Sequence, residues 1–505
     1  MAKNTEISLR NKVIYSVYVR NHTNDGTFNA VAEDLDRIKS LGTDIIWFMP
    51  IHPIGVKNKK GSLGCPYANK DYRTTNPEYG TMDDFKSLVE KIHAKGMKCI
   101  IDVVYNHTSP DSNLSVEHPE FFYRKPDGNF GNKVGDWSDI IDLDYSNKEL
   151  WQYQIDSLVM WAKIVDGFRC DVASFVPVEF WKQAREAVAK VNPDCIWLAE
   201  SVHSSFNVFS RKSGIYTASD YELFDAFDME YDYDIREVFD KYLKGETTLS
   251  NYMDMFNYQE AIYPQNYDKM RCLENHDQPR SVSRFGNDTQ YHDESAKALA
   301  TLVLTLRGTP FLYEGQEIGM TNFDFSDMEK VQDVESINIW NMGKQLHLPY
   351  SLRWRMIKTK SRDNARTPMQ WDDTVNAGFT AGTPWFYVND NYREINVEAQ
   401  EHDPDSLLNF YRRAIALRKR LPVVREGKYR DCCPLAGSLY LYTREMKGQR
   451  LLVACSFTER PLVVTPPKGY DFSKGRLVLQ NYPVADPAIP FQTRPYETRV
   501  YLFEE

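Results

Sequence analysis

Eight short apolar runs, rich in β-branched and aromatic residues, recur between residues 13 and 315, and stretches of helical period follow them. They are VIYSVYV (13–19), DIIWFMP (44–50), MKCIIDVVY (97–105), VDGFRCD (165–171), CIWLAE (195–200), ELFDAFD (222–228), KMRCLEN (269–275) and TPFLYEG (309–315). Strand-like runs alternating with helices imply βα units and a parallel sheet. Eight such units predict a closed (β/α)₈ barrel, although an open doubly wound sheet satisfies the same count.

The rhythm breaks twice. After the third run, residues 106–146 are rich in Asp, Asn, Pro and Gly and read as an inserted loop domain. The last barrel helix is expected at 406–420. Beyond it, SLYLYTRE, RLLVACSF, RPLVVTP and TRVYLFE alternate like strands of an antiparallel β-sandwich, with a hairpin turn at Lys447-Gly448. The expected organisation is a catalytic barrel (1–105 and 147–420), an insertion (106–146) and a C-terminal β domain (421–505).

The closing residues of the runs matter because barrel chemistry gathers at the C-terminal ends of the strands. These ends are acidic: Asp102 follows the third run's apolar core, Asp171 ends the fourth, Glu200 the fifth, and Glu274 and Asp277 lie at the seventh. One such acid can cap a helix or pair with an Arg. Several acids at one barrel mouth repel each other and need a chemical reason. Glycoside cleavage with retention supplies one, since it uses two carboxyls ~5–5.5 Å apart, one attacking the anomeric carbon and one protonating the leaving oxygen. Crowding also raises the pKa of one partner, keeping it protonated.

At these residues the chain resembles the α-amylase family of retaining glycoside hydrolases. Four motifs carry the resemblance in order: DVVYNH (102–107), GFRCDVAS (167–174), WLAES (197–201) and ENHDQ (274–278), with YANKDY (67–72) and GTPFLYEGQE (308–317) in support. The resemblance implies Asp171 as nucleophile, Glu200 as general acid/base and Asp277 as the third acid, holding the sugar's 2-OH and 3-OH. Arg169 is expected to keep Asp171 ionised, with Asp102 supporting Arg169. His107 and His276 are implied as donors to the hydroxyls of the glucose being cleaved, and Tyr67 as the aromatic stacked on it.

RDNARTPMQW (362–371) and Val172 resemble the oligo-1,6-glucosidase and α-glucosidase branch. Gly64 stands where that branch usually has an acid holding the non-reducing end, and the insertion is shorter than is usual there. A short insertion suggests an open cleft. The leading expectation is therefore hydrolysis of α-1,4-glucans and malto-oligosaccharides. The alternatives are an oligo-1,6-glucosidase or α-glucosidase, an α-glucan transglycosylase, and, last, an inactive amylase-like binding subunit.

Net charge is −10 with 61 basic and 71 acidic residues, which disfavours nucleic acid and anionic lipid as partners and suits a neutral glucan or oligosaccharide. No apolar run reaches the ~20 residues of a membrane span. The N-terminus shows no signal-peptide pattern and the eight scattered cysteines read as reduced, so a cytoplasmic location is expected. No cofactor is expected to be required. Asn106 and the loop 21–26, which resembles a thinned calcium loop with Asp25 as its one charge, leave structural calcium open, and no metal ligand is assigned.

Overall fold

The computed structural model describes residues 7–61, 63–133, 137–263, 267–325, 327–432 and 438–504. Eight parallel strands form a closed barrel: β1 (Ile14–Val17), β2 (Ile45–Phe48), β3 (Lys98–Val103), β4 (Gly167–Cys170), β5 (Ile196–Ala199), β6 (Met229–Tyr231), β7 (Lys269–Arg271) and β8 (Thr309–Tyr313). Closure, rather than an open sheet, is settled by the pairing of β1 with β8, where Ile14 faces Phe311. Alternation along the strands divides the side chains into two cores. Ile14, Ile45, Trp47, Ile100, Leu198, Met229 and Phe311 fill the barrel, while neighbours such as Ile46, Cys99, Ile101 and Phe168 pack outward against the helices. Gly167 starts β4 because a Cβ there would lie 2.3 Å from the carbonyl oxygen of Ile196.

Helix starts follow their capping residues. Thr81 accepts from the Asp84 N–H ahead of helix Met82–Ala94, Asn147 from Glu149 ahead of Lys148–Trp161, and Ser406 from Asn409 ahead of Leu407–Arg420. One strand lies elsewhere than expected. Within 222–228, Glu222 accepts hydrogen bonds from the Ser219 N–H and hydroxyl, which fixes a helical turn at Asp220–Leu223. The strand begins only at Met229, and Asp228 instead accepts from the Trp197 N–H on β5.

The segment 106–146 contains a short two-stranded ladder, His107–Thr108 with Ile141–Asp142, and helix Asn113–Glu117. After β8, helices Val334–Gln345 and Tyr350–Lys360 pack on each other, an excursion that the sequence pattern did not reveal. The C-terminal part holds a five-stranded antiparallel sheet: β9 (Lys428–Asp431), β10 (Leu439–Met446), β11 (Gln449–Ser456), β12 (Arg476–Gln480) and β13 (Thr498–Glu504), in spatial order β9-β10-β11-β13-β12. Met446 pairs with Gln449 across Lys447-Gly448, with Gly448 at φ 82° as a two-residue turn requires. The seven described cysteines are free, and Cys433 lies outside the described residues. Among those residues, no helix is long and apolar enough to cross a membrane.

Candidate active site

The barrel ladder runs one residue past the strand ends. Asp171 N–H donates to the Val103 carbonyl at 2.9 Å, and Glu200 N–H to the Cys170 carbonyl at 3.0 Å. Neighbouring strands thereby deliver two carboxylates to one mouth. Asp102 on β3 stands in register with Arg169 on β4. Arg169 and Asp171, two apart on one strand, share a face.

Arg169 is fully buried and touches three acids. Its Nη1 donates to Asp102 at 2.9 Å and to Asp171 Oδ1 at 2.8 Å, and its Nη2 forms an ion pair with Glu200 Oε2 at 2.9 Å, too bent for a hydrogen bond. Nε donates to the Tyr231 hydroxyl at 3.2 Å, and the guanidinium lies 5.2 Å from the Trp47 ring centroid. Tyr67 donates to Asp102 Oδ2 at 2.8 Å. One cation cannot hold three buried carboxylates ionised. Burial is the largest influence on each, and it pushes the Asp102, Asp171 and Glu200 carboxyls above the usual range against the pull of Arg169. The Arg169 contact expected to keep Asp171 ionised is present, yet it is shared three ways and does not outweigh burial. The cluster holds protons jointly toward neutral pH.

Glu200 has two unlike oxygens. Oε2 accepts from the Val172 N–H at 2.9 Å and faces Arg169, whereas Oε1 accepts from the Tyr233 hydroxyl at 2.9 Å. Asp277 behaves oppositely to the other three acids. Burial raises its carboxyl, but Arg362 and His276 outweigh burial and hold it well below the usual range. Arg362 Nε lies 3.6 Å from Asp277 Oδ1 and its Nη2 3.2 Å from Glu335. His276 Nε2 is 3.2 Å from Asp277 Oδ2 but misaligned, so neither ring nitrogen of this buried histidine makes a hydrogen bond. Its ring stacks on Tyr67 at 5.1 Å. At His107 burial lowers the pKa, and Asn106 Nδ2 lies 3.2 Å from Nδ1, which places the ring proton on Nε2 as a donor.

These groups line a cavity of about 780 Å³ that includes Tyr67, His107, Asp171, Glu200, His276 and Asp277; Asp102 and Arg169 lie beneath, behind Tyr67 and Asp171. The short insertion is not the cleft's only wall among the described residues. Gln332, Val334, Glu335, Asn338, Ile339 and Met342 line the cavity from the first of the two helices after β8 and the segment leading into it. Lys60 and Asp139, both on the wall, pair at 2.8 Å and tie the loop before Tyr67 to the insertion. Gly64, at φ 81°, leaves no room for the acid of the glucosidase branch, since a Cβ there would lie 2.8 Å from Ile54 Cγ2.

Sequence reasoning missed Tyr231, Tyr233, Trp47 and the contact of Arg362 with Asp277. The two tyrosines were hidden by the misplaced sixth strand; Trp47 reads as an ordinary core residue. The loop after β1 has buried, unpartnered oxygens on Asn21 and Thr23 but little negative charge for calcium. Asp25 is exposed and meets only Asn24, at 3.5 Å, while buried His22 bridges Asp34 at 2.9 Å and Glu314 at 2.8 Å and supplies a cation there itself. Elsewhere among the described residues, His203, Asp234 and Glu237 approach within 4.8 Å of one another, but Asp234 also accepts from Ser204 and Glu237 from Lys241.

A family model described as the α-amylase catalytic domain matches residues 14–127 and 134–427. The chain is similar to the oligo-1,6-glucosidase of Halalkalibacterium halodurans, 31% identical over 98% of each chain. Among solved structures it resembles an α-amylase from Lactobacillus plantarum, 36% identical with a TM-score of 0.76, covering 99% of this chain and 100% of that one. It also resembles the trehalose-6-phosphate hydrolase of Bacillus licheniformis, 28% identical with a TM-score of 0.83, covering 98% and 100%. With eight barrel strands, three acids at their ends and a family match across both, the chain belongs to the α-amylase family of glycoside hydrolases.

Proposed function

We propose that this enzyme hydrolyses short α-glucosides with retention, and that isomalto-oligosaccharides, linked α-1,6, are its preferred substrates. The observation that carries the chemistry is the guanidinium of Arg169 spanning Asp171 and Glu200. Asp171 attacks the anomeric carbon as the glycosidic C–O bond breaks, and the Glu200 proton passes to the leaving oxygen. Water then attacks the glucosyl–Asp171 ester while Glu200 takes a proton from it, which restores both groups. Asp277, ionised by Arg362, accepts from the 2-OH and 3-OH of the glucose, and the free nitrogens of His276 and the Nε2–H of His107 meet its other oxygens. Tyr67 stacks on the ring.

The leading sequence expectation of α-1,4 chains gives way to its alternative on two grounds. Helix Val334–Gln345 and the Lys60–Asp139 pair add walls that favour short chains, and the named relatives include oligo-1,6-glucosidases. The α-1,4 reading keeps two supporting observations: Gly64 cannot carry the acid that the glucosidase branch uses, and the chain is 36% identical to a solved α-amylase. Incubation with isomaltotriose, panose, maltotriose and starch, followed by NMR, separates these. Isomaltotriose is expected to be cleaved fastest, with the α-anomer appearing first. Preferential cleavage of maltotriose and starch would restore the α-1,4 reading, and a β-anomer first would exclude retention.

A further inference from the structure

Arg236 lies on helix Tyr233–Leu243 and is 6% exposed, yet its guanidinium makes no hydrogen bond or ion pair among the described residues, and Nη1 is fully enclosed without a partner. The acids around it are taken by others. Asp232 holds Arg271 and Gln259, Asp234 holds Ser204, Glu237 holds Lys241 and His203, and Asp240 holds Arg284 and Lys244. A buried cation without an acceptor is costly, and protein interiors rarely tolerate one without a use. Arg236 lines the catalytic cavity and lies 4.6 Å over the ring of Tyr233, whose hydroxyl meets Glu200 Oε1. Oε1 is the Glu200 oxygen not held by Val172, and Arg236 lies one aromatic ring away from it.

We propose that Arg236 reads the leaving-group sugar, donating from its nitrogens that are not enclosed, Nε and Nη2, to that sugar's hydroxyl oxygens and so setting which α-glucosides are cleaved. The proposal rests on the glycosidase reading above. A planar donor fork matches two neighbouring hydroxyls, which a sugar in the cavity would present to Nε and Nη2 while Nη1 stays enclosed.

The test compares the unaltered enzyme with Arg236→Gln and Arg236→Lys on p-nitrophenyl α-glucoside, whose leaving group has no sugar hydroxyl, and on isomaltose and maltose. Arg236→Gln should lower kcat/KM on the preferred disaccharide about tenfold to a hundredfold, the effect of losing a charged hydrogen bond. The aryl glucoside should change less than about twofold, with Arg236→Lys in between. Equal losses on both substrates would mean that Arg236 only supports Tyr233 and Glu200, and an unchanged disaccharide rate would remove any role; either overturns the proposal. If Arg236→Gln does not fold, isomaltose deoxygenated in turn at each leaving-sugar hydroxyl decides with the unaltered enzyme. A tenfold loss at one or more positions supports the proposal, and uniform rates overturn it. Absence of all turnover by the unaltered enzyme would instead reject the glycosidase reading, and this proposal with it.

Discussion

The backbone N–H of Val172 donates to Glu200 Oε2 at 2.9 Å, so the residue after the proposed nucleophile holds the proposed acid. Val172 does so from the left-handed region, at φ 37°, where a β-branched residue costs about 1–2 kcal/mol. The turn aims its amide from β4 across to the end of β5. The oxygen so occupied is the one facing Arg169, which leaves Oε1, with only the Tyr233 hydroxyl, as the proposed site of the catalytic proton.

Tyr233→Phe removes that hydroxyl. A donor to the ionised carboxylate favours ionisation, so its loss raises the Glu200 pKa further. The alkaline limb of kcat should move to higher pH, and kcat should fall about tenfold, the scale of one hydrogen bond to a charged group. Burial of the Tyr233 phenol, then its Glu200 neighbour, raises its own pKa, so it is not itself the acid. An unchanged pH profile would show that Oε1 is not the proton's site.

Asp171→Asn should abolish nearly all turnover and also stabilise the protein. Burial raises the Asp171 carboxyl above its unfolded value, so ionised Asp171 destabilises the fold as pH rises through the raised pKa. The Asn variant should therefore melt about 1–3 °C higher near pH 8, with the gain shrinking toward about pH 5. Scanning calorimetry at the two pH values checks this; a gain that grows on acidification would contradict the electrostatic assignment.

Arg362→Gln should raise the Asp277 carboxyl, because Arg362 is the largest influence opposing burial there, and weaken its hold on the sugar. A fall of about tenfold in kcat/KM on the preferred disaccharide is expected, and an unchanged value would contradict this role. Glu335→Gln breaks only the contact between Arg362 and helix Val334–Gln345, and should lower kcat/KM less.

His22 lends the fold a pH-dependent stability. Burial opposes its charge, but Asp34 and Glu314 outweigh burial and raise its pKa to about 9. That stabilisation is complete below the ordinary value of ~6.5 and is lost as pH rises through about 9. The melting temperature of the unaltered enzyme should fall toward that of His22→Gln between about pH 7 and 10, a convergence that thermal scans read directly. A constant gap across that range would show that His22 is neutral.

The barrel and its acids were legible because strand ends carry chemistry in this fold and the runs before Asp102, Asp171, Glu200 and Asp277 are strongly β-like. The sixth strand was not. ELFDAFD has the composition of a strand, but Ser219 and Glu222 fix a helical turn there, and the true strand Met229–Tyr231 is too short to show a period. Tyr231 ends that strand, Tyr233 and Arg236 follow it, and all three were lost with it. One wall of the cleft was missed for another reason. The insertion at 106–146 suggests an open cleft, whereas helix Val334–Gln345, some two hundred residues later in the chain, supplies a further wall. Arg362 was visible as part of a stretch, but its contact with Asp277 is a product of tertiary packing.

Asp171 as nucleophile is tested most directly by trapping. Incubation with 5-fluoro-α-glucosyl fluoride, which forms the glycosyl-enzyme quickly and releases it slowly, should add one fluoroglucosyl mass to the protein, and peptide mapping should place it on Asp171. Label on another carboxylate, or inactivation with no covalent mass, would contradict the double-displacement mechanism drawn from this site.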